Sequence, residues 1–146
     1  MDLHEDWKEF CATLNRHEVE YLVVGGYAVG HHGYPRNTLD MDVWVAMAPE
    51  NAARIVRALE RFGFSSAADV ARLLVREKQV VRMGVPPLRL EILTTVSGVK
   101  FSDCYARRAV TIVDGIEVSF IGLAELKANK KASGRRKDLD DLEHFP

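Results

Sequence analysis

The chain has 146 residues, of which 47% are hydrophobic and 28% are charged. This composition is typical of a globular domain and excludes a disordered chain. The 20 Lys and Arg residues balance 21 Asp and Glu residues, and the formal net charge is -1, which excludes a strongly basic nucleic-acid coat and an acidic solvating tail. We expect a single domain over residues 1–146, with one hydrophobic core and one functional site.

The sequence shows no signal for a membrane, for export or for a disulfide scaffold. Its longest uncharged stretch, residues 21–35, is too short for a membrane helix and is interrupted by glycines. The N-terminus lacks the basic and apolar regions of a signal peptide. Cys11 and Cys104 lie far apart and outside any CxxC motif, which favours two reduced, partly buried thiols. We therefore expect a cytoplasmic protein.

The spacing of apolar residues and the positions of turn residues predict six helices and six strands. In chain order these are a helix at 5–17, a strand at 21–24, a helix at 27–32, a strand at 40–45, helices at 49–62 and 68–78, strands at 79–83, 88–93, 110–113 and 116–120, and helices at 123–132 and 135–145. Gly63 is expected to end the third helix, and Asp114-Gly115 is typical of a hairpin turn. Because several strands are adjacent along the chain, an α+β fold with a mixed sheet flanked by helices fits better than a doubly wound sheet.

Two aspartates in the second predicted strand suggest a site for divalent cations. Asp40 and Asp42 are separated by one residue, so their side chains point to the same face of a strand. Two hard oxygen ligands suit Mg²⁺, which takes a few carboxylates together with waters and substrate phosphates. Asp-x-Asp also arises by chance, as at Asp138 and Asp140, so a solvated strand face or an ion pair is the alternative for an isolated pair.

Glu91 is a third carboxylate in an unusual place. It lies between Leu90 and Ile92 in an apolar strand, where a lone charge is costly without a partner. If Glu91 projects from a neighbouring strand toward the aspartates, bound metal ions would be that partner.

Gly25 and Gly26 lie between the first strand and the second helix. Glycines let backbone N–H groups approach an anion closely, and the N-terminus of a helix favours negative charge. The pair is also consistent with a plain tight turn, and it belongs to neither a GxGxxG nor a Walker motif.

The order of these features resembles the signature of the DNA polymerase β-like nucleotidyltransferase superfamily. Residues 21–45 read YLVVGGYAVGHHGYPRNTLDMDVWV, in which a hydrophobic strand ends in Gly-Gly and an acidic strand follows. The pattern Gly-Gly-x-Ala and then Arg-x-Thr-x-Asp-x-Asp is similar to the small bacterial nucleotidyltransferases, which include the abortive-infection (AbiE-type) toxins and the minimal nucleotidyltransferases. The resemblance implies a nucleotidyltransferase-like mixed sheet flanked by helices.

The resemblance also implies roles for the three acids. Asp40, Asp42 and Glu91 would be catalytic and would bind two Mg²⁺ ions, the arrangement used for in-line displacement at phosphorus. Glu91 would lie beside the acceptor hydroxyl and act as its base. Many relatives have an aspartate at the position of Glu91, so this longer side chain is a departure from the family pattern.

The phosphate-binding residues implied by the resemblance precede the acidic strand. Gly25 and Gly26 would hold the β- and γ-phosphates of a nucleoside triphosphate (NTP). Arg36 would bind phosphate in bidentate fashion, and Thr38 would hold the turn before the strand. Many relatives have serine at the position of Gly26, so this chain keeps only backbone donors there.

The C-terminal part carries six cations and no acid over residues 127–137. By itself such a segment is a solvated basic face. Its end, Ser133-Gly-Arg-Arg-Lys-Asp138, resembles a Gly-Arg-x-Lys-Asp stretch of the same small nucleotidyltransferases. The resemblance implies that Lys130 and Lys137 approach the triphosphate and that Asp138 orients a basic neighbour.

The implied activity is transfer of a nucleoside monophosphate (NMP) from an NTP to a hydroxyl group of a tRNA, a protein or a small molecule, within a toxin–antitoxin module in some relatives. An alternative is a catalytically weak or inactive antitoxin or regulatory partner, since the chain departs from the family pattern at Gly26 and Glu91. A plain structural domain would require the ordered glycines and acids to be a coincidence.

Overall fold

The computed structural model describes residues 3–35, 38–64, 67–85 and 88–146. Its strands are β1 (Tyr21–Val24), β2 (Met41–Val45), β3 (Val80–Val85), β4 (Leu88–Leu93), β5 (Ala109–Val113) and β6 (Ile116–Phe120). Its α-helices are α1 (Glu5–Arg16), α2 (Gly25–His31), α3 (Pro49–Phe62), α4 (Phe101–Ala106), α5 (Leu123–Ser133) and α6 (Arg136–His144). The predicted α+β class, a mixed sheet flanked by helices, is confirmed.

The six strands form one sheet in the order β3-β4-β2-β1-β6-β5. The central strand β2 is antiparallel to β1 and parallel to β4. In this register Asp42 lies opposite Val24 on one side and opposite Glu91 on the other. The topology thus places the end of the glycine-terminated strand and two of the predicted acids in one row across the sheet.

The hydrophobic core is built around β1 and β2. All four side chains of β1 are buried, as are all those of β2 except Asp42. Strands covered on both faces lose the alternation of polar and apolar residues. Fully buried side chains such as Trp44 and Phe10 each contribute about 1.5–3 kcal/mol to folding through removal of apolar surface from water.

Two predictions of local structure are wrong. Residues 68–78 do not form an α-helix; a short 3-10 helix over Ala67–Val70 is followed by turns. Only Val70 and Leu74 are buried in this segment, so it lacks the apolar stripe that stabilises a surface helix. Conversely, α4 was not predicted, because its six residues are too few to show a helical period.

The turn and cysteine predictions are confirmed. Asp114 and Gly115 have φ values of 50° and 81°, as a two-residue hairpin with a left-handed turn requires. Gly63 ends α3 with a φ of 113°. Cys11 and Cys104 are both free and buried. In the part of the chain that the structure describes, no helix is both long and apolar enough to cross a bilayer.

Candidate active site

Asp42 and Glu91 form the centre of the candidate site. They are paired in register on the parallel strands β2 and β4, and their carboxyl groups interact directly. Burial raises the pKa of Asp42 to about 7, and the charge and hydrogen bond of Glu91 and the charge of Asp40 act in the same direction. The site therefore holds a carboxylate whose negative charge is poorly compensated, which is the electrostatic condition of a cation site.

The raised pKa of Asp42 makes the stability of the protein depend on pH. In the folded state Asp42 stays protonated up to about pH 7, whereas in the unfolded state it ionises at its usual pKa of 3.8. The free energy of unfolding therefore falls as the pH rises from about 4 to 7. Asp42→Asn, which cannot ionise, should be more stable than the wild type at pH 8, by at most about 4 kcal/mol, and equally stable below pH ~4. Urea unfolding of both proteins across this range measures the difference. A constant difference at all pH values would contradict this electrostatic description.

Gly25 fits against the Asp42 carboxylate because it has no side chain. Its φ is +68°, and a Cβ atom there would overlap Oδ2 of Asp42 and lie 2.9 Å from its Cγ. A Cβ on Gly26 would lie 3.1–3.2 Å from side-chain atoms of Thr38. The two glycines thus bring the backbone of the β1–α2 junction directly beside the acid pair, and Thr38 packs against that junction.

Gly25→Ala should lower the free energy of unfolding by more than a left-handed alanine alone would cost. That cost is about 1–2 kcal/mol, and the Asp42 side chain would have to move as well. Gly115→Ala is the matched control, because Gly115 also has a positive φ, +81°, but has no atom within 4 Å of its Cβ position. Chemical denaturation of both variants measures the two costs. Equal losses would show that the contact with Asp42 carries no cost.

Asp40 lies just before β2, which begins at Met41. Its Oδ1 accepts a hydrogen bond from the backbone N–H of Arg89 at 3.2 Å, so it contributes to the site mainly as a nearby charge. Among the described residues, no group of three or more His, Cys, Asp or Glu side chains is arranged to hold a metal ion. In the described residues, Asp40, Asp42 and Glu91 are therefore not already arranged as the three-acid metal site that the family pattern implies.

The donor chemistry of the pair nevertheless fits Mg²⁺. Asp42 and Glu91 offer hard oxygen ligands side by side, and Mg²⁺ is commonly held by one or two carboxylates plus waters and substrate phosphates. Because Gly25 has no side chain, Oδ2 of Asp42 packs directly against its backbone. Two adjacent carboxylates that line one cleft are consistent with such an ion.

A cleft of about 790 Å³ opens over the acid pair. It brings together most of the residues predicted from the sequence: Gly25, Gly26, Asp42, Glu91, Lys130 and Lys137. Asp40 and Thr38 are not among its lining residues. Arg36 lies outside the described residues, so its predicted role is not examined by the structure.

Lys130 occupies the cleft wall in an unexpected way. Its side chain is buried, and its ammonium lies 2.9 Å from Oδ1 of Asp138 and 3.0 Å from Oδ2 of Asp141. Asp138 also accepts hydrogen bonds from Ser133 and Arg135. Burial acts to raise the pKa of Asp138, but these hydrogen bonds hold it below its usual range. The predicted orienting role of Asp138 agrees with these contacts, whereas the ammonium of Lys130 is already held by two carboxylates.

Several other cleft residues were not predicted from the sequence. Glu77 and Lys78 enter from the turn before β3, and Lys78 has a left-handed φ of 60°. The N–H of Lys78 donates to Oγ1 of Thr95 at 3.1 Å, which ties that turn to the segment after β4. Arg135 also lines the cleft. No local motif marks these positions, because only the return of the chain from β3 to α5 brings them to one cleft.

No protein-family model and no curated protein sequence matches the chain. Among solved structures, it is similar to the crystal structure of a Thermotoga maritima protein provisionally described as a nucleotidyltransferase. The TM-score is 0.61 with 14% sequence identity, over 94% of this chain and 86% of that one. The chain has a nucleotidyltransferase-like fold. At this level of identity the likeness concerns the arrangement of strands and helices, and the nucleotidyltransferase-like fold by itself assigns no activity.

Proposed function

We propose that the chain is a Mg²⁺-dependent nucleotidyltransferase that transfers an NMP from an NTP to a hydroxyl group and releases pyrophosphate. The observation that carries the proposal is the acid pair Asp42–Glu91 in the cleft lining, with Asp42 packed against the backbone of Gly25. A cleft of about 790 Å³ is within the size range of sites for one small ligand. The nucleotidyltransferase-like fold supports the same activity.

The protein's own residues would act mainly by binding and positioning. The backbone at Gly25 and Gly26 would receive the β- and γ-phosphates, with Lys137 of the cleft lining and Arg36 as further phosphate ligands. Thr38 would support the glycine turn through its contact with Gly26. Phosphoryl transfer needs little covalent help from the protein, so these contacts and charge neutralisation would supply most of the catalysis.

The acids would serve the metal and the acceptor. Asp42 and Glu91 would hold Mg²⁺, with Asp40 joining them if its carboxylate leaves the Arg89 amide, and two ions are the arrangement we propose. Bound Mg²⁺ would supply neutralisation of the phosphate charge and polarisation of the phosphoryl oxygens. Glu91 would take the proton of the acceptor hydroxyl. The acceptor class remains that implied by the sequence: a tRNA, a protein or a small molecule.

A second candidate function is a catalytically inactive partner protein, such as the antitoxin or regulatory subunit of a two-gene module. The observation that favours it is that two residues expected to bind nucleotide or metal are bonded to other protein groups. Lys130 is held by Asp138 and Asp141, and Asp40 is held by the backbone of Arg89. Such a protein would keep the fold and the cleft without turnover.

Nucleotide binding and label transfer separate the two functions. An enzyme should bind an NTP with Mg²⁺ in calorimetry and should move the α-phosphate label of an NTP onto an acceptor from a tRNA or protein pool. A pure partner protein need do neither. Asp42→Asn is the variant to compare with the wild type in both assays. Asp6→Asn, at an exposed position outside the cleft lining, is its control for the loss of one negative charge. Folded wild-type protein that neither binds the NTP nor transfers label to a broad acceptor set would contradict the proposed enzyme.

A further inference from the structure

Three charged side chains lie in one row across three adjacent strands. Arg82 on β3 is opposite Glu91 on β4, and Glu91 is opposite Asp42 on β2. The Nε–H of Arg82 donates to Oε1 of Glu91 at 2.9 Å. The acid pair is therefore bounded on one side by Gly25 and on the other by a guanidinium group.

Arg82 is the cation that bonds directly to the acid pair in the described part of the chain. Arg82 is not among the residues that line the cleft, and the cleft residues Lys130 and Arg135 are bonded to Asp138 instead. Lys137 lowers the pKa of Asp42 only through its charge. The negative charge of Glu91 is thus balanced through a hydrogen bond from Arg82 on the edge strand β3, and not by a cation of the basic C-terminal segment.

We propose that Arg82 is a built-in counterion of the acid pair, which competes with a divalent cation for Glu91. The inference rests on the proposed function, because it takes Asp42 and Glu91 to be the cation site. A positive charge bonded to one carboxylate of the pair repels a second positive charge that approaches the same carboxylate. A cation can bind fully only when Arg82 moves away or shares Glu91.

The geometry indicates that Arg82 competes with a cation for Glu91 and does not serve to orient the Glu91 carboxylate toward a metal ion. Arginines that hold a carboxylate in a fixed direction frequently do so with two parallel hydrogen bonds, whereas Arg82 makes one, through Nε. Its side chain is 61% exposed and that of Glu91 is 25% exposed, so the pair is weak and screened by salt. An exposed side chain on an edge strand can swing into solvent without disturbing the core.

The expected consequence is a site that binds a free cation weakly. A cation that arrives with a triphosphate brings negative charge, which offsets the repulsion from Arg82. Arg82 would then bias the site toward the metal–nucleotide complex over the metal alone.

Titration with Mn²⁺ alone, followed by electron paramagnetic resonance at low ionic strength, tests the inference without reference to turnover. Arg82→Gln should bind Mn²⁺ about two- to fivefold more tightly than the wild type, the range expected for loss of a half-exposed ion pair. Arg82→Lys, which keeps the charge, should stay near the wild type. Arg89→Gln is the matched control, because it removes the same charge two residues from Glu91 on β4. Asp42→Asn should lose the site.

The outcomes distinguish this inference from the proposed function. Tighter binding by Arg82→Gln with unchanged Arg89→Gln supports competition. Unchanged or weaker binding by Arg82→Gln, or equal tightening by Arg89→Gln, overturns it, while loss of binding in Asp42→Asn still supports the cation site. Equal binding by the wild type and Asp42→Asn, or none by the wild type, overturns the inference together with the cation role of the acid pair.

Discussion

Asp42→Asn should lower the rate of nucleotidyl transfer by about a thousandfold. The substitution replaces the central carboxylate of the cleft by a neutral amide of the same shape, so the site loses the charge that would hold a cation against the triphosphate. Charge stabilisation by such a site is worth several kcal/mol, and about 1.4 kcal/mol corresponds to a factor of ten in rate. The measurement is the initial rate of transfer of an α-phosphate label with saturating NTP and Mg²⁺.

The same variant should be more stable than the wild type at pH 8, because burial raises the pKa of Asp42 to about 7. Loss of activity with a gain in stability is typical of a residue kept for function at a cost to folding. Asp6→Asn, the exposed control, should keep the wild-type rate and lose at most about 1 kcal/mol of stability, because Asp6 lies in the first turn of α1. Transfer by Asp42→Asn within tenfold of the wild-type rate would show that the acid pair is not the reaction centre.

Lys130→Met should destabilise the protein by about 3–5 kcal/mol. Lys130 is only 5% exposed and neutralises Asp138 and Asp141, which are 0% exposed. Removal of the lysine leaves the negative charges of Asp138 and Asp141 buried without their cation. This is why the expected loss in the free energy of unfolding is large. Guanidinium or urea unfolding at pH 7 measures the effect.

Lys131→Met is the control for this substitution. Lys131 is the next residue on α5 and is exposed, so its replacement should change stability by less than about 0.5 kcal/mol. The loss in Lys130→Met should shrink as the pH falls from about 4 toward the lowered pKa of Asp138, because a protonated Asp138 no longer needs a cation. A loss below about 1 kcal/mol at pH 7 would mean that the cluster does not hold α5 and α6 together, and Lys130 would again be a candidate phosphate ligand.

Local sequence signals predicted the strands and the turn that carry Gly25, Asp42 and Glu91. Strand alternation predicted that Asp40 and Asp42 share a face, and the apolar surroundings of Glu91 predicted a strand carboxylate in need of a partner. The glycine pair predicted a turn after β1, and the family resemblance implied that these residues form one site. The structure pairs these residues in register. The local predictions depend on residues only a few positions apart, so a single sequence contains that information, whereas the joining of the segments was implied by the resemblance.

The remaining features depend on contacts between distant segments. The burial of Lys130 follows from the packing of α6 against α5, which places Asp138 and Asp141 around its ammonium. The bond from Arg82 to Glu91 depends on the register of the β3–β4 hairpin. A charged residue at the surface and one in a buried cluster look alike in a sequence, so the basic segment could not be divided into structural and ligand-facing cations beforehand.

The central claim is that the acid pair and the glycine backbone together form the nucleotide site. A crystal structure with a non-hydrolysable NTP analogue and Mn²⁺, with the metal located by its anomalous scattering, tests this directly. We predict Mn²⁺ bound by Asp42 and Glu91 and the β- and γ-phosphates against Gly25 and Gly26. A triphosphate bound elsewhere, or Mn²⁺ without a ligand from either carboxylate, would contradict the claim.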